Sequence, residues 1–351
     1  MLRQIYGLSP QDVTSTLQGK FPAYRAKQVL DWLYKKCVYD PELMTNLPPD
    51  LKEFLKTSFT WDMPELDVRL ASTDGTIKYR LKLSDDALIE CVMIPEGKKH
   101  TLCVSSQVGC SRGCSFCATA KLKLKRNLET SEIISQVMLV SRELYPVRIT
   151  NLVFMGMGEP MDNLDNVLDS LRILQDEQAL SFSPRRTTIS TCGIVPGIRK
   201  LAESGIKTKL AVSLNSAIDE KRSQIMPVNK QYPLNELKQA LFYFRRKTNF
   251  RITLEYILIP EFNMGIADIK ALGRFVDDLS SKINFIPFNP VSGVEWHAPT
   301  GSEIDLFLQK AQVIRQAITL RKSRGKDIMG ACGQLVAHKG ENHENSSTNR
   351  P

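Results

Sequence analysis

The sequence predicts an α/β fold, in which a partial barrel of about six βα units follows a small helical domain and a short β-meander. Two observations support this prediction. Between residues 130 and 321, short apolar runs alternate with amphipathic stretches of helical spacing, in units of roughly 25 to 45 residues. The chain of 351 residues, 42% of them hydrophobic, is also long enough to bury a barrel-sized core beside a smaller appendage.

Residues 1–62 predict an N-terminal domain of short helices. Ser9 followed by Pro10 is typical of a helix start, because serine caps the first turn and proline fits its first position. Pro48 and Pro49 open another short helix. Between them, one helical face is marked by apolar residues spaced three and four apart, at Ala26, Val29, Leu30 and Leu33.

The segment 63–98 predicts a β-meander that leads into the rest of the chain. Asp74 and Gly75 supply a tight turn between two strands. On either side of that turn, apolar residues alternate with polar ones, at Val68, Leu70, Ile77, Tyr79, Leu81 and Leu83.

Residues 99–338 form the predicted barrel core, and 339–351 form a polar tail that we expect to be disordered. Strands are predicted over 149–154, 187–190, 209–214, 252–259, 283–288 and 318–321. Helices are predicted from residue 131 and over 163–174, 197–203, 234–246, 267–279 and 303–315. In such a barrel, functional residues are expected at the C-terminal ends of the strands.

Charge and composition narrow the class of protein. Lysine and arginine exceed the acidic residues by nine, with basic clusters at 121–126, 185–186, 245–247 and 321–324. A solvated surface explains any one cluster, but together they favour a polyanionic partner such as nucleic acid. No apolar run long enough for a membrane span and no secretory signal is visible, and the eight cysteines indicate thiols, metal or catalysis. We therefore expect a cytoplasmic protein with no membrane partner.

Three cysteines, Cys110, Cys114 and Cys117, carry the most specific signal. Their spacing gives an iron–sulfur cluster three thiolates and leaves one iron without a protein ligand, where chemistry can occur. A structural zinc site is the alternative. Zinc is usually held by four protein ligands, however, and the next cysteine, Cys192, stands alone. The number of ligands therefore favours the cluster.

Other polar residues stand where predicted strands end. Gly158 and Glu159 lie in a glycine-containing turn after the strand 149–154, where the backbone can approach a ligand closely. Later strands end in or are followed by Ser190, Ser213, Leu214, Asn215 and Asn289. An ordinary strand end explains each of them taken singly, but on a barrel all would face the same opening.

Longer stretches of the chain resemble the RlmN/Cfr family of radical S-adenosylmethionine (SAM) RNA methyltransferases. The similar stretches are 103–110, 114–119, 126–128, 154–160, 190–191, 225–227, 287–290 and 330–335. The Gly-Glu-Pro at 158–160 and the run 321–328 resemble the adenine-C2 branch of the family, whereas the C8 branch commonly departs at both. The resemblance extends over nearly the whole chain, to about residue 338, and implies a radical SAM barrel.

The resemblance implies two cofactors and their ligands. One [4Fe-4S] cluster per chain would be bound by Cys110, Cys114 and Cys117, with SAM at the open iron. The SAM contacts it implies are Gly158, Glu159, Ser190, Ser213, Leu214, Asn215 and Asn289.

The resemblance also implies the reaction. Adenine C2 and C8 are electron-poor carbons, so a methyl group cannot be placed on them by simple nucleophilic displacement. One SAM would methylate Cys332, and the radical formed from a second SAM would take hydrogen from that methyl group, so that the carbon radical adds to adenine. Glu90 would accept the ring proton. Cys103 would then attack the thioether sulfur, releasing methylated RNA and leaving a disulfide.

The implied partners are 23S rRNA, tRNA and a low-potential electron donor such as flavodoxin or ferredoxin, for a monomeric enzyme whose helical domain binds RNA. Two alternatives stay open: an adenine-C8 methyltransferase, and a non-catalytic, zinc-stabilised RNA-binding protein. Asn215 departs from the family, which usually has histidine there, and so do Ala120 and the pair 329–330. Cys37, Cys91 and Cys192 match no motif and are interpreted as packing residues.

Overall fold

The structure, a computed structural model, describes residues 2–337. The tail 339–351, which the sequence predicts to be disordered, lies outside the described residues. Within 2–337, no helix combines the length and the apolar character that crossing a membrane requires.

The N-terminal residues fold into three short α-helices, as predicted. Helix α1 (Pro10–Leu17) begins with a capping box, in which the Asp12 backbone N–H donates to Ser9 Oγ at 3.1 Å and the Ser9 N–H donates to the Asp12 carboxylate at 3.0 Å. Helix α2 (Tyr24–Leu30) runs on into a π-helical turn, and α3 (Pro49–Ser58) follows. Strands β1 (Arg3–Gln4) and β2 (Phe59–Thr60) pair in parallel and join the two ends of this region.

This N-terminal region packs on α4 (Thr130–Leu144), a helix of the larger region. The Tyr39 hydroxyl donates to the Met138 carbonyl at 2.7 Å, and the Arg142 guanidinium lies 5.2 Å from the Tyr39 ring centre. Gly7 comes so close to α4 that an added Cβ would stand 3.2 Å from the Ser131 nitrogen. The helical region is therefore docked by a packed interface.

The next strands form the predicted antiparallel meander, with Gly75 in the left-handed conformation at its first turn. The strands are β3 (Glu65–Ala71), β4 (Ile77–Lys82), β5 (Leu88–Glu96) and β6 (Lys99–Cys103). A separate antiparallel pair, β7 (Gln107–Val108) and β8 (Arg126–Asn127), brackets the cysteine-rich loop.

The remaining strands are parallel and lie in the sheet in the order of the sequence, as in the wall of a βα barrel. They are β9 (Asn151–Phe154), β10 (Thr187–Thr191), β11 (Lys209–Ser213), β12 (Ile252–Leu258), β13 (Ser281–Pro287) and β14 (Ala317–Leu320). The helices between them are α5 (Leu164–Gln175), α6 (Val195–Glu203), α7 (Asp219–Ile225), α8 (Val228–Gln231), α9 (Leu234–Thr248), α10 (Ile266–Val276) and α11 (Gly301–Ala311). The α/β prediction is confirmed. The helix predicted over 303–315 ends earlier, because a turn after Ala311 must lead into β14.

Strand β6 pairs with β5 on one side and with β9 on the other, so the meander and the parallel strands share one sheet of ten strands. One face of β5, β6 and β9–β14 lines a single cavity of about 620 Å³, which requires the sheet to be curved. We call this space the strand cavity. Within the described chain, the edge strands β3 and β14 each have one strand neighbour, so the sheet stays open.

Candidate active site

The cysteine-rich loop between β7 and β8 is held from several sides. The Cys110 N–H donates to the Leu122 carbonyl at 3.3 Å, and the Ser115 N–H donates to the Ile225 carbonyl, at the end of α7, at 3.0 Å. Arg112 Nε donates to the Asp162 carboxylate at 2.5 Å, which ties the loop to the segment after β9. These contacts fix the loop above the C-terminal ends of the parallel strands.

The three cysteines of this loop line one cavity of about 160 Å³, which we call the cysteine cavity. Five of the seven predicted SAM contacts line it with them: Gly158, Glu159, Ser190, Ser213 and Asn215. Burial raises the pKa of the Cys110 thiol to about 11, and it also raises the pKa of Cys114 and of Cys117. Thiols with raised pKa values bind a metal by releasing their protons to solvent.

The arrangement of these thiols fits an iron–sulfur cluster better than zinc. In residues 2–337, no three His, Cys, Asp or Glu side chains gather closely enough to hold one metal ion. A tetrahedral zinc site needs four ligands around one ion, whereas each thiolate of a cluster binds a different iron. Three cysteines that line one cavity supply three thiolates for such a cluster, one fewer than a closed zinc site needs.

Glu159 connects the end of β9 to the end of β10. Its carboxylate is buried and accepts hydrogen bonds from the Cys192 N–H at 2.8 Å and the Met161 N–H at 3.0 Å. Burial raises the pKa of this carboxyl group, and the two backbone donors oppose the rise. Before it, Gly158 has φ +99° and packs so tightly that an added Cβ would stand 2.5 Å from Gln107.

The stretch 213–215 positions its three members differently. Asn215 has φ +57°, a left-handed conformation that asparagine tolerates well, and its Oδ1 accepts from the Ile257 N–H at 2.9 Å. Ser213 and Asn215 line the cysteine cavity. The Leu214 side chain is fully buried and lines neither cavity, and its N–H donates to the Glu255 carbonyl at 2.9 Å. Leu214, a predicted SAM contact, is therefore not among the residues that line the site.

Arg222 organises this region, and the sequence analysis missed it. Its fully buried guanidinium donates to three backbone carbonyls at the ends of β10 and β11: Cys192 at 2.6 Å, Leu214 at 3.1 Å and Ser213 at 3.2 Å. It also donates to Asn229 Oδ1 at 2.8 Å. An arginine in a short polar helix carries no sequence signal that separates it from a surface residue.

Cys332 lies where the two cavities meet. It lines both of them, together with Met155, Glu255, Ile286 and Arg321. The neighbouring Gly333 carbonyl accepts from the Ala118 N–H at 2.7 Å, so the segment that carries Cys332 is tied to the cysteine-rich loop.

Cys103, at the end of β6, lines the strand cavity with Cys332. Burial raises the pKa of its thiol to about 12, and the nearby Cys332 adds to the rise. Asn289 also lines the strand cavity and not the cysteine cavity, and its Nδ2 donates to the Cys332 carbonyl at 3.2 Å. The structure thus places the two predicted catalytic thiols in one space.

Glu90 lies in β5 and is 2% exposed, so it is not an exposed residue of that strand. Its carboxylate is 3.3 Å from Lys78 Nζ and accepts from the Val336 N–H at 2.9 Å. Burial raises the pKa of Glu90, and Lys78 opposes the rise. Glu90 lines neither cavity that contains Cys332; together with Lys78 and Val336 it lines a separate, small cavity.

Three further residues of the site were not assigned from the sequence. Glu255 and Arg321 line both cavities, and Glu255 accepts hydrogen bonds from Asn284 Nδ2 at 3.1 and 3.3 Å. A signal for Glu255 exists, since it is an acid inside the otherwise apolar strand β12. Cys192, interpreted as a packing residue, is buried and also lines the cysteine cavity.

Comparison with known proteins gives two family matches. Residues 104–273 match the model of the Radical SAM superfamily, and residues 15–60 match that of the Ribosomal RNA large subunit methyltransferase N-terminal domain. The first match contains the cysteine-rich loop and most of the parallel strands.

Relatives and a solved structure agree with these matches. The chain is 42% identical over 349 residues, 97% of its length and 99% of the relative's, to the probable dual-specificity RNA methyltransferase RlmN of Dictyoglomus turgidum. It is 44% identical over 318 residues, 91% of each chain, to the dual-specificity RNA methyltransferase RlmN of Geotalea uraniireducens. The crystal structure of a radical SAM methyltransferase from Sphaerobacter thermophilus superimposes with a TM-score of 0.91 at 37% identity, covering 95% of this chain and 99% of that one.

Proposed function

This chain belongs to the RlmN family of radical SAM RNA methyltransferases, and we propose that it methylates C2 of adenosine in 23S rRNA and in tRNA. The proposed sites are the adenosine of the peptidyl-transferase centre and the adenosine next to the tRNA anticodon. Membership of the family makes the chain an enzyme, which sets aside the non-catalytic, zinc-stabilised alternative.

The position of Cys332 carries this proposal. One cavity beside it contains the three proposed cluster cysteines and five of the seven proposed SAM contacts, and the other contains Cys103 and space for a nucleotide. A thiol that receives a methyl group on one side and delivers it on the other must stand at such a junction. Simple SAM-binding proteins have no need of a second thiol in the adjoining space.

The radical SAM superfamily implies SAM and an iron–sulfur cluster as cofactors. In our proposal, Cys110, Cys114 and Cys117 bind one [4Fe-4S] cluster. Gly158, Glu159, Ser190, Ser213 and Asn215 border the space for SAM. Leu214 stands between two of these residues in the chain, and Asn289 adjoins the space through its hydrogen bond to the Cys332 carbonyl. When bound, the two cofactors supply the one-electron chemistry that an electron-poor ring carbon requires. A low-potential carrier such as flavodoxin or ferredoxin would donate the electron.

The residues of the chain would act one after another. The Cys332 thiol accepts a methyl group and holds it at the junction of the cavities. After that carbon is joined to adenine C2, Glu90 takes the ring proton and the adduct loses one electron, for which the bound cluster would be the acceptor. The Cys103 thiolate then attacks the Cys332 sulfur: the S–S bond forms, the S–C bond breaks, and its electron pair stays on carbon, which takes up a proton to become the methyl group. The disulfide must be reduced before another turnover.

The position of Glu90 requires a conformational change during this series of steps. Because its carboxylate binds the Val336 N–H and lines neither cavity that contains Cys332, the segment that carries Cys332 must shift before Glu90 can reach a ring proton. The contact of Glu90 with this same segment, 246 residues away in sequence, makes such coupling possible.

The deciding experiment is mass spectrometry of nucleosides from RNA of cells with and without the gene. We expect 2-methyladenosine in 23S rRNA and tRNA only when the gene is present. Appearance of 8-methyladenosine instead would establish the C8 alternative, and absence of both would refute the proposal.

The cluster assignment has its own test. Replacing Cys110, Cys114 and Cys117 together by alanine should remove iron from the anaerobically purified protein and abolish its brown absorption. Iron retained at wild-type stoichiometry would contradict the assignment, whatever the activity.

A further inference from the structure

The interior of the curved sheet is unusually polar. In closed βα barrels, inward positions are filled mostly by Val, Ile and Leu, which pack into layers. Here the cavity-lining positions in the lower half of the sheet are Thr188, Lys209, Thr253, Lys282 and Asn284. The register pairs Thr188 with Lys209 and Thr253 with Lys282, so each lysine has a threonine beside it in the wall. Polar side chains cannot form a dry core, and the cavity of about 620 Å³ remains.

Four cations line this cavity without an acidic partner. Lys209 and Lys282 stand on β11 and β13, and Lys322 and Arg324 follow β14. In the described part of the chain, none of these four side chains forms an ion pair or a hydrogen bond to a protein group. Among residues 2–337, the only carboxylates that line the cavity are those of Glu96 and Glu255. Burial, together with the neighbouring charge of Lys282, lowers the pKa of Lys209.

Two buried polar atoms that belong to lining residues also lack partners. Asn289 Oδ1 and Ser323 Oγ have no hydrogen-bond partner within residues 2–337. Asn289 itself is 4% exposed and adjoins Cys332 through its Nδ2. Buried polar groups are rarely left unpaired, so both atoms indicate an occupant with hydrogen-bonding groups.

The cations and the thiols are arranged on one surface. The sheet register runs from Cys103 through Val153 and Thr188 to Lys209, so the lysine and the thiol lie on one register line, three strands apart, and both line the cavity. A nucleotide whose base reaches Cys103 and Cys332 would carry its phosphates towards the cationic wall. Lysine and arginine are the usual protein partners of RNA phosphates.

We propose that the strand cavity receives the nucleotide to be methylated, and that Lys209, Lys282, Lys322 and Arg324 bind the RNA phosphates that flank it. This inference rests on the proposed function, which supplies RNA as the substrate. It adds a phosphate subsite inside the barrel to the methyl-transfer residues, and it makes the four cations positioning residues.

The test uses the cluster-loaded full chain with Lys209→Gln and Lys282→Gln combined. For single-stranded RNA, each lost phosphate contact reduces the slope of log affinity against log salt by about 0.7, which is about fivefold in affinity at 0.1 M salt. The double variant should therefore bind a short RNA that contains the target adenosine about 25-fold more weakly, with a salt slope lower by about 1.4. KM for RNA should rise in parallel, while kcat at saturating RNA stays within about twofold.

Two matched variants control for folding and for general charge. Lys270→Gln removes an exposed lysine of α10 that lines neither cavity, and it should leave affinity unchanged. Lys209→Arg with Lys282→Arg keeps the charge and should recover most of the affinity. Methylation of Cys332 by SAM alone, followed by intact mass, should proceed normally in all of these proteins.

The outcomes separate the two proposals. RNA affinity and salt slope unchanged in the double glutamine variant would overturn the phosphate subsite, even if the wild type makes 2-methyladenosine. An equal loss in Lys270→Gln would overturn it as well. If the wild type makes no methylated adenosine, the proposed function fails, whereas the salt-dependent binding measurement still decides whether these lysines bind phosphates.

Discussion

At the scale of single residues, Cys103 and Cys332 share a cavity but belong to different structures. Cys103 ends strand β6 and is deeply buried, and Cys332 lies in an irregular segment that borders two cavities. The proposed methyl carrier, Cys332, therefore borders both cavities. The proposed resolving thiol, Cys103, is held in a strand.

The two single variants should therefore fail differently. Cys332→Ala cannot accept a methyl group, so neither methylated protein nor methylated RNA should form. Cys103→Ala can still join the methyl carbon to adenine but cannot break the S–C bond, so protein should accumulate covalently bound to RNA. Denaturing gels with and without ribonuclease would reveal this adduct. A shift in Cys332→Ala alone would mean that the roles are reversed, and no shift in either would refute the covalent mechanism.

The proposed role of Glu90 predicts that the rate of RNA methylation depends on pH. The proposed proton acceptor must be ionised, and burial raises its pKa above the usual value of about 4.3, so the methylation rate should fall as pH drops through that raised pKa. Glu90→Gln should abolish this acidic limb and slow RNA methylation by about 10²- to 10⁴-fold, while SAM still methylates Cys332 at the wild-type rate. Single-turnover rates against pH would check this. An identical acidic limb in the variant would exclude Glu90 as the base.

At the scale of elements, the segment 325–337 is held by the turn between β3 and β4. Asp74 accepts from the Gly325 N–H at 3.0 Å, and Asp327 accepts from Ser72 Oγ at 2.6 Å and from the Thr73 N–H at 3.1 Å. Burial alone would raise the pKa of Asp74, but hydrogen bonds from Thr76, Gly325 and Ser72 hold it at about 2. Because this pKa is below the value of about 3.9 in an unfolded chain, the contact stabilises the fold above about pH 4 and is lost as pH falls towards 2.

Removing both aspartates should loosen the segment that carries Cys332. In Asp74→Ala with Asp327→Ala, we expect amide hydrogen exchange of residues 325–337 to accelerate by about tenfold at neutral pH, since two anchoring points of an irregular segment are lost. The global melting temperature should also fall at neutral pH, because the ionised Asp74 stabilises the folded state there. Asp305→Ala, in the exposed part of α11, is the control. Equal protection of 325–337 in all three proteins would show that the other contacts suffice.

Arg222 shows how an element can organise a site without touching its surface. From α7 it binds the carbonyls that end β10 and β11, while the Ile225 carbonyl of the same helix binds the cysteine-rich loop. The loop and the strand ends therefore share one support. A buried arginine that satisfies several carbonyls is hard to replace, because any shorter side chain leaves acceptors unpaired.

At the scale of the whole molecule, the N-terminal helices are part of the packed structure. Tyr39 and Gly7 contact α4, so deletion of residues 1–60 would expose an apolar face of the larger region. Loss of activity in such a truncation would not distinguish RNA binding from misfolding. Surface substitutions give a cleaner test of the proposal that this region binds RNA.

Lys20 and Lys36 are suitable for that test. Both are exposed and lie over aromatic rings, Lys36 at 3.5 Å from the Trp32 ring centre and Lys20 at 4.5 Å from that of Phe54. The double glutamine variant should bind RNA about tenfold more weakly, with a smaller salt dependence and an unchanged melting temperature. Lys310→Gln on α11 is the matched control. If RNA affinity is unchanged in the double variant as well as in Lys310→Gln, these two lysines of the N-terminal region do not contribute to RNA binding.

The sequence by itself determined the features that near neighbours encode. The spacing of Cys110, Cys114 and Cys117, the cap at Ser9 and the alternation of strand and helix from β9 to β14 all depend on residues a few positions apart. The resemblance also marked Cys103 and Cys332, which the structure then placed in one cavity. Local periodicity predicted whether a segment is a helix or a strand. It misplaced helix ends such as that of α11, because the chain must turn there to enter the next strand.

Only the tertiary structure decided which of these residues meet. Strand order and curvature bring β5, β6 and β9–β14 around one cavity. No local pattern reveals that Lys209 lies on the same register line as Cys103, or that the Val336 N–H donates a hydrogen bond to Glu90. Arg222 and Glu255 acquire their roles in the same way, from partners distant in sequence. Composition and residue spacing can be read from the linear sequence. The residues of a site, in contrast, come together only when the sheet has formed.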